Sequence, residues 1–376
     1  MCVEDLSIKM GVLIFWGVLV CVLPVPKLSW TWMIGLGFFL RIVFVFSDPI
    51  FSDDLYRYLW EGKLLTLGGN PYISPPISFE IEDPILNKVN HPSIPSVYPP
   101  IVMWIFAITT YVFYDPLAIK FLMMIADSCV LVILAQLLGN NWNRAWIYAL
   151  HPLPIVETAG SGHLEPLAIA ALLWGIKVWN SQRVGGAFWI LIATGIKIMP
   201  MLFLPFMRKD YRGIICGVLV LVLCSASVLQ KGVFEGIFIY AQHWSFNGSA
   251  FDVLNLFAPD KARFLVGLFL AGVVVYCLLK KQEIFQIGLW ITGAFLILSP
   301  TVHPWYGLWV FPFAILCFAD VWFILLSLLP ISYVALLSYD PQTQSWSPPL
   351  WPQIVEYGIP LLVLVQRQMK RWRTGL

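Results

Sequence analysis

About thirteen stretches of this 376-residue chain, 15 to 23 residues long and carrying no more than two charges each, decide what it can fold into. Each approaches the roughly 20 apolar residues that cross a hydrocarbon core of about 30 Å, where a single segment satisfies its own backbone only as a helix. They cover 9–25, 28–46, 99–114, 117–138, 144–159, 163–180, 184–206, 212–229, 262–280, 283–299, 304–318, 319–337 and 351–366. The expected fold is therefore an all-α membrane protein, a polytopic bundle of about 13 transmembrane helices forming one integral membrane domain over 1–376. Composition agrees: 59% of residues are hydrophobic and 12% charged, against about 25% charged in soluble domains. The 18 tryptophans suit helix ends anchored at both interfaces. The first run, "GVLIFWGVLVCVLPVP", lacks a basic leader and a small-residue cleavage site, so it reads as a retained helix. None of the seven cysteines makes a metal spacing, and most sit in apolar runs as small hydrophobes.

Two loops are long, 47–98 and 230–261. Basic clusters at Arg208, Lys209 and Arg212, at Lys280 and Lys281, and at Arg367, Lys370, Arg371 and Arg373 fall on one side of the bundle, with Lys27 and Lys120. Positive charge marks the cytoplasmic side, which puts the N-terminus and both long loops outside and the C-terminus inside, in a cell inner membrane. Arg144 and Arg183 are single exceptions. The first outer loop, 47–98, holds seven acids and three bases, a net of −4. No basic patch interleaved with aromatics occurs in a soluble context, which speaks against nucleic acid as a partner.

At the head of that loop stands "FSDDLYRYLWEGKLLTLGGNPY", 51–72. Ser52 suits a helix N-cap, an acid in the first turn suits the helix dipole, and Asp53 can pair with Arg57 four residues on. Those readings explain one aspartate of the two. At helical spacing Asp54, Tyr58 and Glu61 share a face flanked by Arg57, and "GGNPYISPP" then ends the helix in a sharp turn. An acidic helix lying flat at the outer interface fits a site for a substrate half in lipid and half in water.

Other segments carry two readings each. "SPTVHPWYGLWVFP" places His303 and Tyr306 at an outer helix end with proline on both sides of the histidine; an interfacial aromatic belt accounts for it as well as a phosphate or metal contact does. In "YAQHWSFNGSAFDVLNLF", His243, Trp244 and Asn247 suit either a ligand or lipid anchoring. His151, Glu157, His163, Glu165 and Lys197 lie in or near the membrane, where ionisable groups are expensive. The spans above put His163 and Glu165 near the cytoplasmic side, away from an outer site unless 144–165 is re-entrant. Arg41, about one and a half turns inside its span, either snorkels to headgroups or holds a lipid phosphate. No Walker A, GxSxG, HExxH, heptad or calcium-loop pattern competes.

"SDDLYRYLWEGKLLTLGGNPYISPP", followed late in the chain by "HPWY", resembles glycosyltransferases of the C superfamily (GT-C). The likeness is greatest to bacterial polyprenyl-phosphate-mannose-dependent mannosyltransferases. It rests on Ser52, Asp54, Tyr56 and Tyr58, with Gly68, Asn70, Pro71 and Tyr72 in the turn; "SFNGS" at 245–249 and "GHLEP" at 162–166 add to it. The resemblance implies a GT-C-like bundle with amphipathic loop helices and an active site at the non-cytoplasmic face. Mannose is the expected sugar, carried on a polyprenyl-phosphate donor and passed to a hydroxyl of a glycolipid or glycan acceptor. The family's loop carboxylate maps onto Asp54, with Asp53 second, and its late histidine onto His303. Asp54 would then act as general base in an inverting attack. Arg41, Arg57, Tyr58, Glu61, His243, His303 and Tyr306 are the candidate substrate and phosphate contacts. A divalent cation, Mg or Mn, could be held by Asp53, Asp54 and a histidine. A transporter or flippase of lipid-linked sugars is the alternative, with Glu157, His163, Glu165 and Lys197 as its coupling relay.

Overall fold

The computed structural model describes residues 3–49, 51–181, 184–226, 228, 235–340, 345–346 and 348–374. Arg183 and residues 230–234 of the second loop lie outside them, as does the Arg373 side chain. Among the described residues the regular structure is helical apart from one antiparallel two-residue ladder, β1 (Tyr339–Asp340) against β2 (Ser345–Trp346). Four segments among the described residues are long and apolar enough to cross a membrane: 5–22, 116–150, 262–280 and 321–338. Several of the other expected spans are shorter apolar helices of 10–17 residues. The expected count of about 13 does not carry over one for one.

Contacts gather into two units where a single domain over 1–376 is expected. One comprises 28–142 and 154–244, and the other comprises 1–27, 143–153 and 245–376.

The 28–142/154–244 unit is built on α2 (Trp30–Val45), α3 (Asp54–Thr66), α4 (Pro100–Val112) and α5 (Pro116–Leu138). At 23 residues, about 35 Å of helix, α5 can cross. Its N-terminus is well made: Asp115 caps Leu117 N at 2.9 Å and Pro116 sits in the first turn. Between α2 and α5, Arg41 and Asp127, both fully buried, form an ion pair with Nε–Oδ2 at 2.5 Å, and Arg41 also donates to Gly37 O at 2.9 Å. Arg41 therefore neither snorkels nor faces the outer loop. Breaking this pair with Asp127→Asn is expected to destabilise by about 3–5 kcal/mol, whereas Arg41→Met with Asp127→Leu should recover most of it. Thermal unfolding in detergent checks both.

The stretch 99–114, expected to span, instead forms the 13-residue helix α4, only about 20 Å long. It runs beside α3. Tyr58 stacks on Phe106 at 4.7 Å, and a Cβ on Gly62 would sit 2.6 Å from the Phe106 backbone. Nor does α3 lie on a surface with a wet polar face. Leu55, Arg57 to Gly62 and Leu64 are all buried, because the rest of the loop folds back over it. Gly62→Ala is expected to push the two helices apart and lower the melting temperature, at a cost of roughly 1–3 kcal/mol for overpacking.

In the other unit, α1 (Val3–Val22) packs with α6 (Ala145–Leu150) and the later helices. The expected span 144–159 is broken. After α6 comes His151 in extended conformation, the single turn α7 (Pro152–Pro154) and a π-helix, Ile155–Gly160, that belongs to the first-described unit. There, α8 (Glu165–Asn180) follows, then α9 (Gly186–Thr194) and a 3₁₀ segment, Met199–Met207. The expected span 184–206 is a hairpin. Asp210 Oδ2 accepts from Gly185 N and Ala187 N at 2.9 Å each, so the chain returns to where it entered and leaves Lys197 near the tip. Then come α10 (Tyr211–Ala226) and α11 (Glu235–His243).

This unit has two distinct ends. At one, Lys120 donates to Ser47 O, and Gly162 packs near Leu55 and Ile119. At the other, Trp30 meets Trp142, Lys177 meets Gln136, and Gly186 packs on Gly175 and Trp179. The basic cluster 208–212 follows the Asp210 cap at this second end.

The remaining helices complete the other unit: α12 (Ala250–Phe257), α13 (Ala262–Lys280), α14 (Ile284–Leu298), α15 (Gly307–Leu316), α16 (Val321–Leu328) and α17 (Trp351–Thr374). A parallel bridge of Phe246 with Thr301 joins "SFNGS" to "SPTVHPWY". Asn247, at φ +52, donates to Glu356 Oε2 at 2.7 Å.

Candidate active site

Asp54 is the first residue of α3. The N-cap position is Asp53 and not Ser52, with no side-chain capping bond; Ser52 Oγ accepts from the Asp54 amide at 3.3 Å from one residue further out. Asn90 Nδ2 reaches Asp54 Oδ1 at 2.7 Å and Asp53 Oδ1 at 2.8 Å, so one amide spans both acids. A quarter of the Asp54 side chain is exposed, and Asp53 is exposed. Burial, reinforced by the neighbouring Asp53 carboxylate, pushes Asp54 up to about 6, against the pull of Asn90, Lys197 and Arg57. A carboxylate with that value is poised to change protonation close to neutral pH.

Arg57 does not pair with Asp53. Its Nε donates to Asn90 Oδ1 (3.2 Å), Nη1 to Glu61 Oε1 (3.0 Å) and Ile94 O (3.1 Å), and Nη2 to Asn90 O (2.5 Å) and His91 O (2.6 Å). All five guanidinium donors are engaged. The side chain is a clamp that holds 90–94 against α3, and so holds Asn90 on Asp54. Glu61 is 1% exposed and accepts Ser96 Oγ at 2.8 Å. Tyr58 is buried between Phe106 and Tyr98. Of the helical face Asp54, Tyr58 and Glu61, Asp54 alone is partly exposed; Tyr58 and Glu61 are buried in contacts that hold the helix in place.

The sequence reading leaves four neighbours out of the site. His163, fully buried, stands with Nδ1 3.9 Å from Asp54 Oδ2 and Nε2 3.4 Å from Glu157 Oε2. Glu165 pairs with Lys197 at 3.0 Å; the lysine side chain is 26% exposed and acts electrostatically on Asp54. His163 and Glu165 therefore do not lie at the opposite side from Asp54, as the span count implies. The signal that could have found them was the cost of ionisable groups at membrane depth, together with "GSGHLEP" as a helix break. Nearby, Trp244 packs edge-on with His91 at 4.5 Å and stacks on Tyr240 at 5.5 Å.

His243 is exposed at the end of α11 and joins none of these contacts. His303 and Tyr306 belong to the other unit, where the histidine ring stacks on Trp305 at 4.2 Å and Phe246 at 4.8 Å. Among the described residues, no three His, Cys, Asp or Glu side chains converge on a metal position. The expected set of Asp53, Asp54 and a histidine does not form one.

Fold and site together define a polytopic helical membrane protein with a partly exposed carboxylate set among buried ionisable groups. The chain belongs to the family described as "Alpha-(1->6)-mannopyranosyltransferase, N-terminal domain", whose model matches residues 8–209, more than half of it. That bears out the resemblance carried by the first loop. It is 29% identical over 179 residues to alpha-(1->6)-mannopyranosyltransferase A of Corynebacterium glutamicum, 43% of this chain and 35% of that one. To the protein of the same name from Mycobacterium tuberculosis it is 28% identical over 193 residues, 44% and 36%. The alignments span about a third of the length of these relatives. No solved structure matches.

Proposed function

We propose that this chain is a membrane glycosyltransferase that moves a mannosyl group from a polyprenyl-phosphate donor to an acceptor hydroxyl, with Asp54 as general base. The observation that carries the reading is the setting of Asp54. It is a partly exposed carboxylate at the start of a non-spanning helix, held by Asn90 and raised toward neutral pH. It takes the proton of the acceptor hydroxyl as that oxygen attacks the anomeric carbon; the C–O bond to phosphate breaks, and the electron pair leaves on the phosphate. One base and one displacement invert the anomeric centre with no covalent intermediate.

The cation for the leaving phosphate moves from Arg41 and Arg57, both held in structural contacts, to Lys197. Lys197→Gln is expected to raise the donor KM and lower kcat together, roughly ten-fold or more in kcat/KM, since a cation aimed at developing charge acts most in the transition state. No step is routed through a metal, because the donor set does not converge.

Within the 28–142/154–244 unit, the basic cluster 208–212 lies at the end opposite Asp54. The positive-inside rule then supports an outward-facing Asp54 in the plasma membrane. The transporter reading loses its separate midplane relay, for Glu157, His163, Glu165 and Lys197 gather with Asp54.

The test uses the purified full chain in detergent, radiolabelled polyprenyl-phosphate-mannose and a panel of acceptor glycolipids. Transfer that rises with pH through about 6 is expected, because the base must be ionised. Donor bound but never transferred to any acceptor would overturn the proposal.

A further inference from the structure

We infer that His163 is a positioning residue for Asp54, and that Asp54, His163 and Glu157 form a carboxylate–imidazole–carboxylate line that carries the abstracted proton away from the acceptor. The inference rests on the assignment of Asp54 as base. Its geometry does not: His163 faces Asp54 with one ring nitrogen (3.9 Å) and Glu157 with the other (3.4 Å), and the ring is fully buried between them.

The local backbone is shaped to hold the ring there. Residues 155–160 form a π-helix, a rare turn that recurs at functional positions. His163 N donates to Glu157 O at 3.0 Å, closing that turn onto the histidine. Gly162 sits at φ +80, a conformation L side chains rarely adopt, with Leu55 and Ile119 in contact range of any Cβ. A simple packing role for a buried histidine requires neither a carboxylate at each nitrogen nor this backbone.

The chemistry balances. With Nε2–H turned toward Glu157, whose Oε2 lies 3.4 Å away outside hydrogen-bond alignment and aligns on protonation of the ring, the neutral ring presents the lone pair of Nδ1 to Asp54. The acceptor O–H breaks as the glycosidic bond forms, and Asp54 takes the proton. Transfer to Nδ1 then leaves Asp54 ionised again and an imidazolium that the Glu157 carboxylate stabilises; once product leaves, the proton returns through Asp54, whose side chain is a quarter exposed, to solvent. The 3.9 Å gap exceeds a hydrogen bond; it closes with substrate bound, as catalytic contacts commonly do, or through one water. Other charges facing this line are Asp53 and Arg57 from α3 and Lys197, paired with Glu165, from the hairpin and α8. Their signs oppose one another, which leaves Glu157 as the partner in contact with Nε2.

Two groups must then be deprotonated for turnover, so log kcat/KM of the wild type should fall with a slope near 2 at the acid side. His163→Gln is expected to reduce the slope to about 1 and kcat by about 10- to 100-fold, with both KM values unchanged, short of the 10²–10⁴ attributed to a base itself. Glu157→Gln, isosteric and so less disruptive, should lower kcat with a smaller change in slope. Unchanged kcat and slope in both variants would overturn the relay. An infrared band of the protonated Asp54 carboxyl, identified by its loss in Asp54→Asn, supplies a readout that needs no activity. Its pH midpoint is expected to move in both variants. If the wild type transfers nothing, the proposed function fails while a moved midpoint still supports the coupling; an unmoved midpoint overturns the coupling by itself.

Discussion

Asp54→Asn is expected to abolish mannosyl transfer and to stabilise the protein. The loss follows from removing the base, about 10²–10⁴-fold in kcat. The gain follows from linkage. Asp54 is raised from 3.8 to about 6 in the folded chain, so between those values the native state binds more protons than the unfolded one. Stability therefore falls as pH rises through that window, and the full cost of holding the charge is present above about pH 6. A rise of that size corresponds to up to about 3 kcal/mol, moderated because the carboxylate is partly wet. The amide keeps an oxygen to accept from Asn90 and has no charge to bury. Melting temperature should rise above pH 7, with little difference from wild type near pH 4. A variant that keeps full transfer activity, or that melts lower than wild type at pH 8, would remove Asp54 from its role. A change that improves the fold while destroying turnover marks a residue kept for chemistry.

How far the fold and site are readable from sequence varies element by element. The apolar helices follow from hydropathy: α1, α2, α5, α13 and α14 all lie close to their expected positions. Sequence also yields the Asp54 helix and its end at Gly68, φ +82, since period and turn are local signals. Segments of span-like composition that do not span are not local. Only 13 residues long, α4 finds its partner in α3, and 184–207 turns back on itself because Asp210 closes it. Each reverses the direction of the chain relative to its expected path. The two reversals cancel beyond residue 208, which leaves 208–212 at the end away from Asp54, but between them they carry His163 and Glu165 to the Asp54 end. The site was thus half legible. Its carboxylate was visible, whereas the histidine and lysine beside it depend on topology. For Arg41 and Arg57 the sequence reading failed in another way. Charge next to a proposed phosphate site invites a ligand role, and only the structure shows Asp127 and three backbone carbonyls already occupying those guanidiniums.

Arg57→Met should be among the most destabilising single substitutions in this chain. Removing the guanidinium strands the Glu61 carboxylate, 1% exposed, with Ser96 as its remaining donor. It also leaves the carbonyls of Asn90, His91 and Ile94 without the donor they share. Breaking a buried ion pair costs about 3–5 kcal/mol. The part-buried carbonyls of Asn90 and Ile94 lose a donor besides, while His91 O keeps Ile94 N at 3.0 Å. Against a total stability of about 5–15 kcal/mol, that is a large fraction of what holds the fold. Burial already pushes Glu61 up, with Arg57 and Ser96 opposing it. Without Arg57 the carboxyl rises further, so the damage should be least at low pH, where Glu61 is neutral, and grow as pH rises. Glu61→Gln in the Arg57→Met background removes the stranded charge and should recover part of the loss, a coupling that a double-mutant cycle measures. Arg57→Lys keeps the charge but not the fork, and is expected to be intermediate, because an ammonium cannot reach three carbonyls, an amide and a carboxylate at once. Since Arg57 Nε also fixes the Asn90 side chain, the surviving fraction should show reduced kcat with an unchanged donor KM. The opposite pattern, wild-type melting with only the donor KM raised, would make Arg57 the phosphate ligand and overturn the clamp.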